Sequence, residues 1–233
     1  MEIQFGVAKV AKYATRESGD TLELIERPHG GLSAVLVDGQ RSGRSAKIIS
    51  NIVARKTISL LGEGVRDGAA ARAAHDYLLT HRAGRVSAEL QIVSADLRSE
   101  SVVISRNTRC PALIVHEGRF RRFDADSRPI GVHVDTKPVI VELPLRCGTV
   151  VAVFTDGLSC IEEACPDDAS LEGMVMRAAQ EHLSAQALAD MLLFRALEVE
   201  EGRPSDDISV LAMVLLPNTV PHKVRRLLAS FPV

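Results

Sequence analysis

Carboxylates recur in this chain in a pattern that could hold cations. "LSAVLVDGQRSG" (residues 32–43) and "VVAVFTDGLSC" (150–160) are apolar runs that each end in Asp-Gly, at Asp38-Gly39 and Asp156-Gly157. "ESGDTLEL" places Asp20 just ahead of another apolar run, and "RPSDDISVLAMVLL" places Asp206 and Asp207 just ahead of a further one. Carboxylates held a few ångströms apart repel, so a cluster of them requires protonation or a cation. Oxygen donors without accompanying His or Cys select a hard ion, Mg²⁺ or Mn²⁺. Glycine after the aspartate lets the backbone turn sharply and lets water or an ion approach. Taken singly, each acid also reads as a turn or a solvated strand cap, because Asp-Gly is a common turn. Only convergence in space would make them a site.

Other chemistry is sparse. Cys110, Cys147, Cys160 and Cys165 form no C-x-x-C pair and read as buried or incidental reduced thiols. His29, His75, His81, His116, His133, His182 and His222 share no metal-binding or catalytic spacing, although folding could bring one in as a general acid. A formal net charge of −2 and 3% aromatic residues argue against nucleic-acid binding by bulk charge or base stacking. No apolar stretch reaches the roughly 18 residues of a membrane span, and "MEIQFGVAKV" lacks the basic head and apolar core of a signal peptide. A cytoplasmic location is the default expectation.

The acids must be positioned by strands, because the segments around them alternate or run apolar over strand lengths. "EIQFGVAKV", "TLELIER" and "LSAVLVD" read as strands, followed by a helix in which Ala46, Ile49, Ile52, Val53, Ile58 and Leu61 recur at steps near three and four. "RDGAAARAAHDYLLTHRAG" reads as a second helix, rich in alanine and closing near Gly84. "VSAELQIVSADL", "ESVVISR", "PALIVHEG", "PVIVELPL" and "TVVAVFTD" return to strands. "HLSAQALADMLLFRALEVEEG" is helical with Ser184 as N-cap, "DISVLAMVLL" is a last strand, and "PHKVRRLLASF" reads as a short terminal helix. With no repeat and no linker, residues 1–233 are expected to form one domain of the α+β class.

The ordered set "SGD" (18–20), "VDGQRSG" (37–43), "FTDGLSCIEEA" (154–164) and "RPSDDISVL" (203–211) resembles the metal-dependent Ser/Thr phosphatases of the PPM superfamily, in the SpoIIE-type and RsbX-type branch. The resemblance runs from about residue 13 to 216. It implies a sandwich of two antiparallel sheets flanked by helices, with two Mn²⁺ or Mg²⁺ ions at one end. Carried over by residue, Asp38 would bridge both ions, the Gly39 carbonyl would complete one coordination sphere, Asp20 would help hold the second ion, and Asp156 and Asp206 the first. Asp38 and Asp156 are thereby the catalytic candidates, and Asp207 reads as supporting or capping. Two closely spaced ions can activate a water and stabilise phosphoryl oxygens during in-line displacement, so no nucleophile motif is needed.

The sequence also departs from the family pattern. After Asp38-Gly39, relatives carry a small or apolar residue and a glycine, whereas Gln40 and Arg41 stand here. The family's Asn-Ala-Gly-His-Pro segment becomes "RNTRCP" (106–111), with Cys110 in place of histidine. Both departures bear on substrate fit. Arg16, four residues before Asp20, is the candidate phosphate-binding cation. Arg41 and Arg44 lie close to Asp38 and an arginine can fork onto phosphate oxygens, but the run Arg41, Arg44, Lys47, Arg55, Lys56 reads first as a solvated helix face and only second as a docking surface. The bare domain resembles stand-alone stressosome phosphatases, which implies a phosphorylated STAS-domain partner, no nucleic acid and no membrane. The alternatives are a phosphatase of an anti-anti-sigma factor, a catalytically silent module that binds a STAS partner, and a calcium-stabilised structural domain.

Overall fold

A computed structural model describes residues 1–164, 170–218 and 224–230. The described strands form two antiparallel five-stranded sheets. The first contains β1 (Glu2–Val10), β10 (Ile208–Leu216), β9 (Val150–Phe154), β6 (Ala112–His116) and β7 (Arg119–Phe123), in that order. The second contains β2 (Thr21–Glu26), β3 (Gly31–Gly39), β4 (Ala88–Asp96), β5 (Ser101–Asn107) and β8 (Val139–Pro144). Helices α1 (Gly43–Gly62) and α2 (Asp67–Arg82) cover the outer face of the second sheet. Helices α3 (Cys160–Ala164), α4 (Leu171–Gln180) and α5 (Ala185–Val199) cover the outer face of the first. The layering is helix, sheet, sheet, helix, as expected from the resemblance.

Burial on both faces explains why several strands are apolar without a break. In β3, Val35 and Val37 pack against α1 and α2, while Ala34 and Leu36 face the other sheet. In β10, Val210, Ala212 and Val214 pack against the opposite helices, while Leu211, Met213 and Leu215 face the sheet interior. Side chains alternate along a strand, so a strand covered on both sides must be apolar at every position.

That alternation also decides what stands at the end of the sandwich. Continuing the inter-sheet stripe Ala34, Leu36 by two residues reaches Asp38. Stepping back from Ala95 and Val93 on β4 gives Gln91 and then Glu89, from Leu211 on β10 gives Ser209 and then Asp207, and from Leu24 and Leu22 on β2 gives Asp20. Pairing brings these ends together, since Asp38 lies opposite Glu89, Thr21 opposite Val37, and Val210 opposite Phe154. The space between the sheets therefore passes from hydrocarbon to carboxylate at one end.

Most expected elements are present, including the Ser184 cap, whose hydroxyl accepts from Ala187 N. Three differ. β7, "RFRRF", was hidden because its alternation is arginine-rich; it pairs with β6 as a hairpin edge. α4 was not foreseen either, though Ser170 caps it by accepting from Gly173 N. The expected terminal helix is absent from residues 224–230, where Leu227 and Leu228 are 83% and 94% exposed. An apolar helix face with nothing to pack on gains little from forming. The rest of that segment, 221–223 and 231, lies outside the described residues.

Gly6 on β1 shows how closely the layers approach. A Cβ there would stand 2.2 Å from the Ala185 carbonyl carbon at the start of α5. Gly6→Ala should therefore force β1 and α5 apart and cost at least about 2 kcal/mol, the scale of core overpacking. Chemical denaturation is the check, with an unchanged midpoint as the contrary result.

Candidate functional site

The carboxylate end of the sandwich opens into a cavity of about 360 Å³ lined by Lys12, Asp38, Gly39, Gln40, Arg41, Ser42, Ser87, Ala88, Glu89, Pro129, Asp156 and Asp206. Asp38 arrives from the end of β3, Asp156 from the 3₁₀ turn that follows β9, and Asp206 from the loop entering β10. Asp20 does not reach the cavity wall. It is 1% exposed, with Oδ2 accepting from Ser209 Oγ at 2.6 Å and Thr155 Oγ1 at 3.1 Å, and with Oδ1 buried and unpartnered.

Two backbone approaches hold the acids in place, and they revise the role expected of the glycines. Neither Gly39 nor Gly157 has a positive φ, so neither is needed for a sharp turn. A Cβ on Gly39 would instead stand 2.1 Å from the Ala46 carbonyl oxygen of α1, and one on Gly157 would stand 2.4 Å from the Asp207 carbonyl oxygen. The glycines let α1 press on the end of β3 and the 3₁₀ turn press on the start of β10.

Asp207 acts as a clamp. Its Oδ1 accepts from Lys12 N at 2.9 Å and its Oδ2 from Gly19 N at 2.7 Å, fastening both ends of the loop that delivers Asp20. The same loop is pinned from α1, where Ser50 Oγ donates to the Gly19 carbonyl at 2.5 Å and Lys47 Nζ to the Asp20 carbonyl at 2.6 Å. Lys9 Nζ from β1 donates to that carbonyl too, at 2.7 Å. Lys47 is thus half-buried with its ammonium engaged, not free on a solvated face as expected. Burial, and then the neighbouring Lys47 charge, lower the Lys9 ammonium to about 8.

Sequence reading missed Glu89. It lies across from Asp38, its Oε2 accepts from Thr108 Oγ1, and burial raises its carboxyl above the ordinary range. The available signal was the register of "VSAELQIV": once Leu90 and Ile92 face the helices, Glu89 must face the other sheet. Thr108 is held by the loop that replaces the family's histidine segment. There the buried Arg106 guanidinium donates to the carbonyls of Cys110 and Thr108. Burial pushes the Cys110 thiol up to about 12, so it stays protonated and is no nucleophile. Cys147, by contrast, is exposed, and Cys165 lies outside the described residues. No described histidine lines the cavity, and Arg16 is exposed and absent from its wall. The basic residues on the wall are Lys12 and Arg41.

The electrostatics are those of crowded anions. Burial first, then repulsion by Asp20, Asp156, Glu89 and Asp206, raises Asp38 to about 9. Burial likewise raises Asp20 to about 6, and burial followed by Asp206 raises Asp156. Among the described residues no group of three or more acidic, histidine or cysteine side chains stands close enough together, as placed, to hold a metal ion. The residues nonetheless fit hard cations: the donors are all oxygen, and the orphaned Asp20 Oδ1 is a buried acceptor that a cation would satisfy.

Residues 28–215 match the family described as Stage II sporulation protein E (SpoIIE). The chain belongs to the SpoIIE family. The Stage II sporulation protein E of Bacillus subtilis (strain 168) is 21% identical over 220 residues, covering 93% of this chain and 26% of that protein. The chain thus spans about a quarter of that relative's length. Among solved structures, the PP2C phosphatase domain with a fragment of the regulatory domain of SpoIIE from Bacillus subtilis superposes with a TM-score of 0.76 at 20% identity, over 92% of this chain and 64% of that one. RsbX in complex with magnesium gives a TM-score of 0.68 at 13% identity, over 91% of this chain and 94% of that one. The fold of this SpoIIE-family chain is therefore that of the PP2C phosphatases. No helix among the described residues is long and apolar enough to cross a membrane.

The raised carboxyls set a sign for stability. In the metal-free fold Asp38 holds its proton up to about pH 9, whereas in the unfolded chain it loses it near the ordinary aspartate value of 3.8. Between those values the folded state binds the extra proton, so its stabilising contribution is complete below about pH 4 and is lost as pH rises toward 9. Asp20, Asp156 and Glu89 are shifted in the same direction. Asp38→Asn should accordingly raise the metal-free melting temperature at pH 7.5 by roughly 3 °C or more, with a smaller gain at pH 5. A metal-free variant no more stable than wild type at pH 7.5 would mean that Asp38 is not under this repulsion.

Proposed function

We propose that residues 1–233 act as one metal-dependent protein Ser/Thr phosphatase domain. The observation that carries this reading is the convergence of Asp38, Asp156 and Asp206 from three chain segments on one cavity, in a chain of the SpoIIE family. Pairing of β1 with β10, which joins the first and last strands of the described residues in one sheet, supports reading the chain as one unit. Asp20, Asp38, Asp156, Asp206 and the Gly39 carbonyl would hold two Mn²⁺ or Mg²⁺ ions. Bound there, they would supply Lewis-acid activation of water and neutralise phosphoryl charge.

The protein's own part is positioning and exclusion. Asp207, Ser50, Lys9 and Lys47 fix the Asp20 loop, so its carboxylate is set before any substrate arrives. Ser209 and Thr155 occupy Asp20 Oδ2 and leave Oδ1 as the oxygen available to a cation. Glu89, on the cavity wall but outside this ligand set, lies where a proton could be held and is shifted by burial toward the protonated form. Hydrolysis then needs no covalent phosphoenzyme, which agrees with a neutral, buried Cys110.

A chromogenic phosphate ester assayed with and without Mn²⁺ tests the reaction. Asp38→Ala should lower turnover at least about 100-fold, the scale of losing electrostatic stabilisation of a reacting group. Asp156→Ala and Asp206→Ala should be nearly as severe, and chelation should silence the wild type reversibly. Full activity in Asp38→Ala, or indifference to chelator, would sink the two-metal reading, and no turnover by wild type with Mn²⁺ would leave a silent binding module as the better one.

For the substrate we propose a phosphoserine or phosphothreonine on a folded STAS-domain protein of a stressosome-like system. Similarity of fold to RsbX supports this reading. So does the polar cavity, which offers a lone phosphoamino acid few apolar contacts and leaves discrimination to the surrounding protein surface. The folded phosphoprotein should show a kcat/KM at least about 10-fold above that of a phosphopeptide copied from it. Equal values would remove docking as the source of specificity.

A further inference from the structure

Among the described residues, the basic side chains on the cavity wall, Lys12 and Arg41, form no hydrogen bond or ion pair with any of the acids they share it with. We propose that Arg41, assisted by Lys12, grips the phosphoryl oxygens of the substrate. This assignment rests on the phosphatase reading.

Backbone conformation is the first observation. Arg41 has φ 75°, in the left-handed region where a side chain is strained and glycine is favoured. Other non-glycine residues in this region, such as Ala83 closing α2 and Glu117 between β6 and β7, terminate a helix or turn a hairpin. Arg41 bears the same strain on the wall of the carboxylate cavity, where a side chain can meet substrate.

Anchoring is the second. The backbone before Arg41 is tied to the cavity wall by Gln40, whose N donates to the Ser87 carbonyl at 3.2 Å and whose Oε1 accepts from Ser87 N at 3.1 Å. Lys12 is fixed through its backbone N on Asp207 Oδ1. α1 begins two residues after Arg41 with no acidic residue in its first turn, so no carboxylate competes for the guanidinium from that side. The cavity is therefore divided, with acids that a cation would satisfy and bases left for an anion. A phosphate monoester dianion bridges such a division. Arginine would fork onto two of its oxygens and lysine would add a point charge.

The test compares wild type, Arg41→Gly and Arg41→Lys at saturating Mn²⁺. KM for p-nitrophenyl phosphate and calorimetric Kd for inorganic phosphate are measured alongside the melting temperature. Arg41→Gly should raise the KM and the phosphate Kd together by about 10-fold, with a smaller fall in kcat, the loss of one charge-assisted grip. It should melt roughly 2 °C higher, because the backbone strain is relieved. Arg41→Lys should fall between. If wild type turns over the ester and Arg41→Gly matches its KM and phosphate Kd, the Arg41 assignment is overturned while the phosphatase reading stands. The same holds if only a folded phosphoprotein detects the change, which would make Arg41 a docking residue. If wild type does not turn over the ester, the phosphatase reading fails on its own. The phosphate Kd of the two proteins then still decides whether Arg41 holds the anion.

Discussion

Repulsion among buried carboxylates is the constraint around which one end of this fold is built. The sandwich interior is hydrocarbon through Leu36, Val93, Ile104, Val153 and Met213, then turns to Asp20, Asp38, Glu89 and Asp207 along the same inward-facing positions. Burial in this low-dielectric enclosure, and then repulsion by the neighbouring acids, hold Asp38 near 9, and a cation is what would let the acids ionise together. The strain is contained because the backbone under it is stiff. Antiparallel pairing locks β3 to β2 and β4, and close approaches at Gly39 and Gly157 press neighbouring segments onto the acids.

The helices contribute to the same end. α1 packs its apolar stripe on the outer face of its sheet, but its Lys47 and Ser50 reach past the sheet edge to the loop carrying Asp20. Any displacement of α1 would therefore be felt at both Gly39 and Asp20. On the other side, Asp207 stands just before β10 and fastens Lys12 and Gly19, so the loop that supplies Asp206 also fixes the loop that supplies Asp20. Two acids adjacent in sequence divide the work: one faces the cavity, the other holds the scaffold.

Much of this was legible in the sequence, and the reasons are specific. Asp38 and Asp156 were visible because each interrupts an apolar run at a strand end, and Asp20 and Asp206 because each precedes one. Their convergence was not visible, since it depends on which strands pair, and pairing is set by contacts far apart in the chain. Glu89 escaped for that reason: it becomes a neighbour of Asp38 only through the β3–β4 register. Lys47 was misread because its helical position is near the surface while its ammonium reaches inward to Asp20. The terminal segment was read as helical from local pattern alone, and local pattern does not form a helix without a surface to pack on.

Where cations sit is the question on which the rest turns. Crystals grown with Mn²⁺ and measured on either side of the manganese absorption edge would locate them without reference to activity. Two anomalous peaks are expected beside Asp38, one reached by Asp156 and Asp206 and the other by Asp20 and the Gly39 carbonyl. No peak within coordinating distance of Asp38 at saturating Mn²⁺ would contradict a carboxylate-held metal centre.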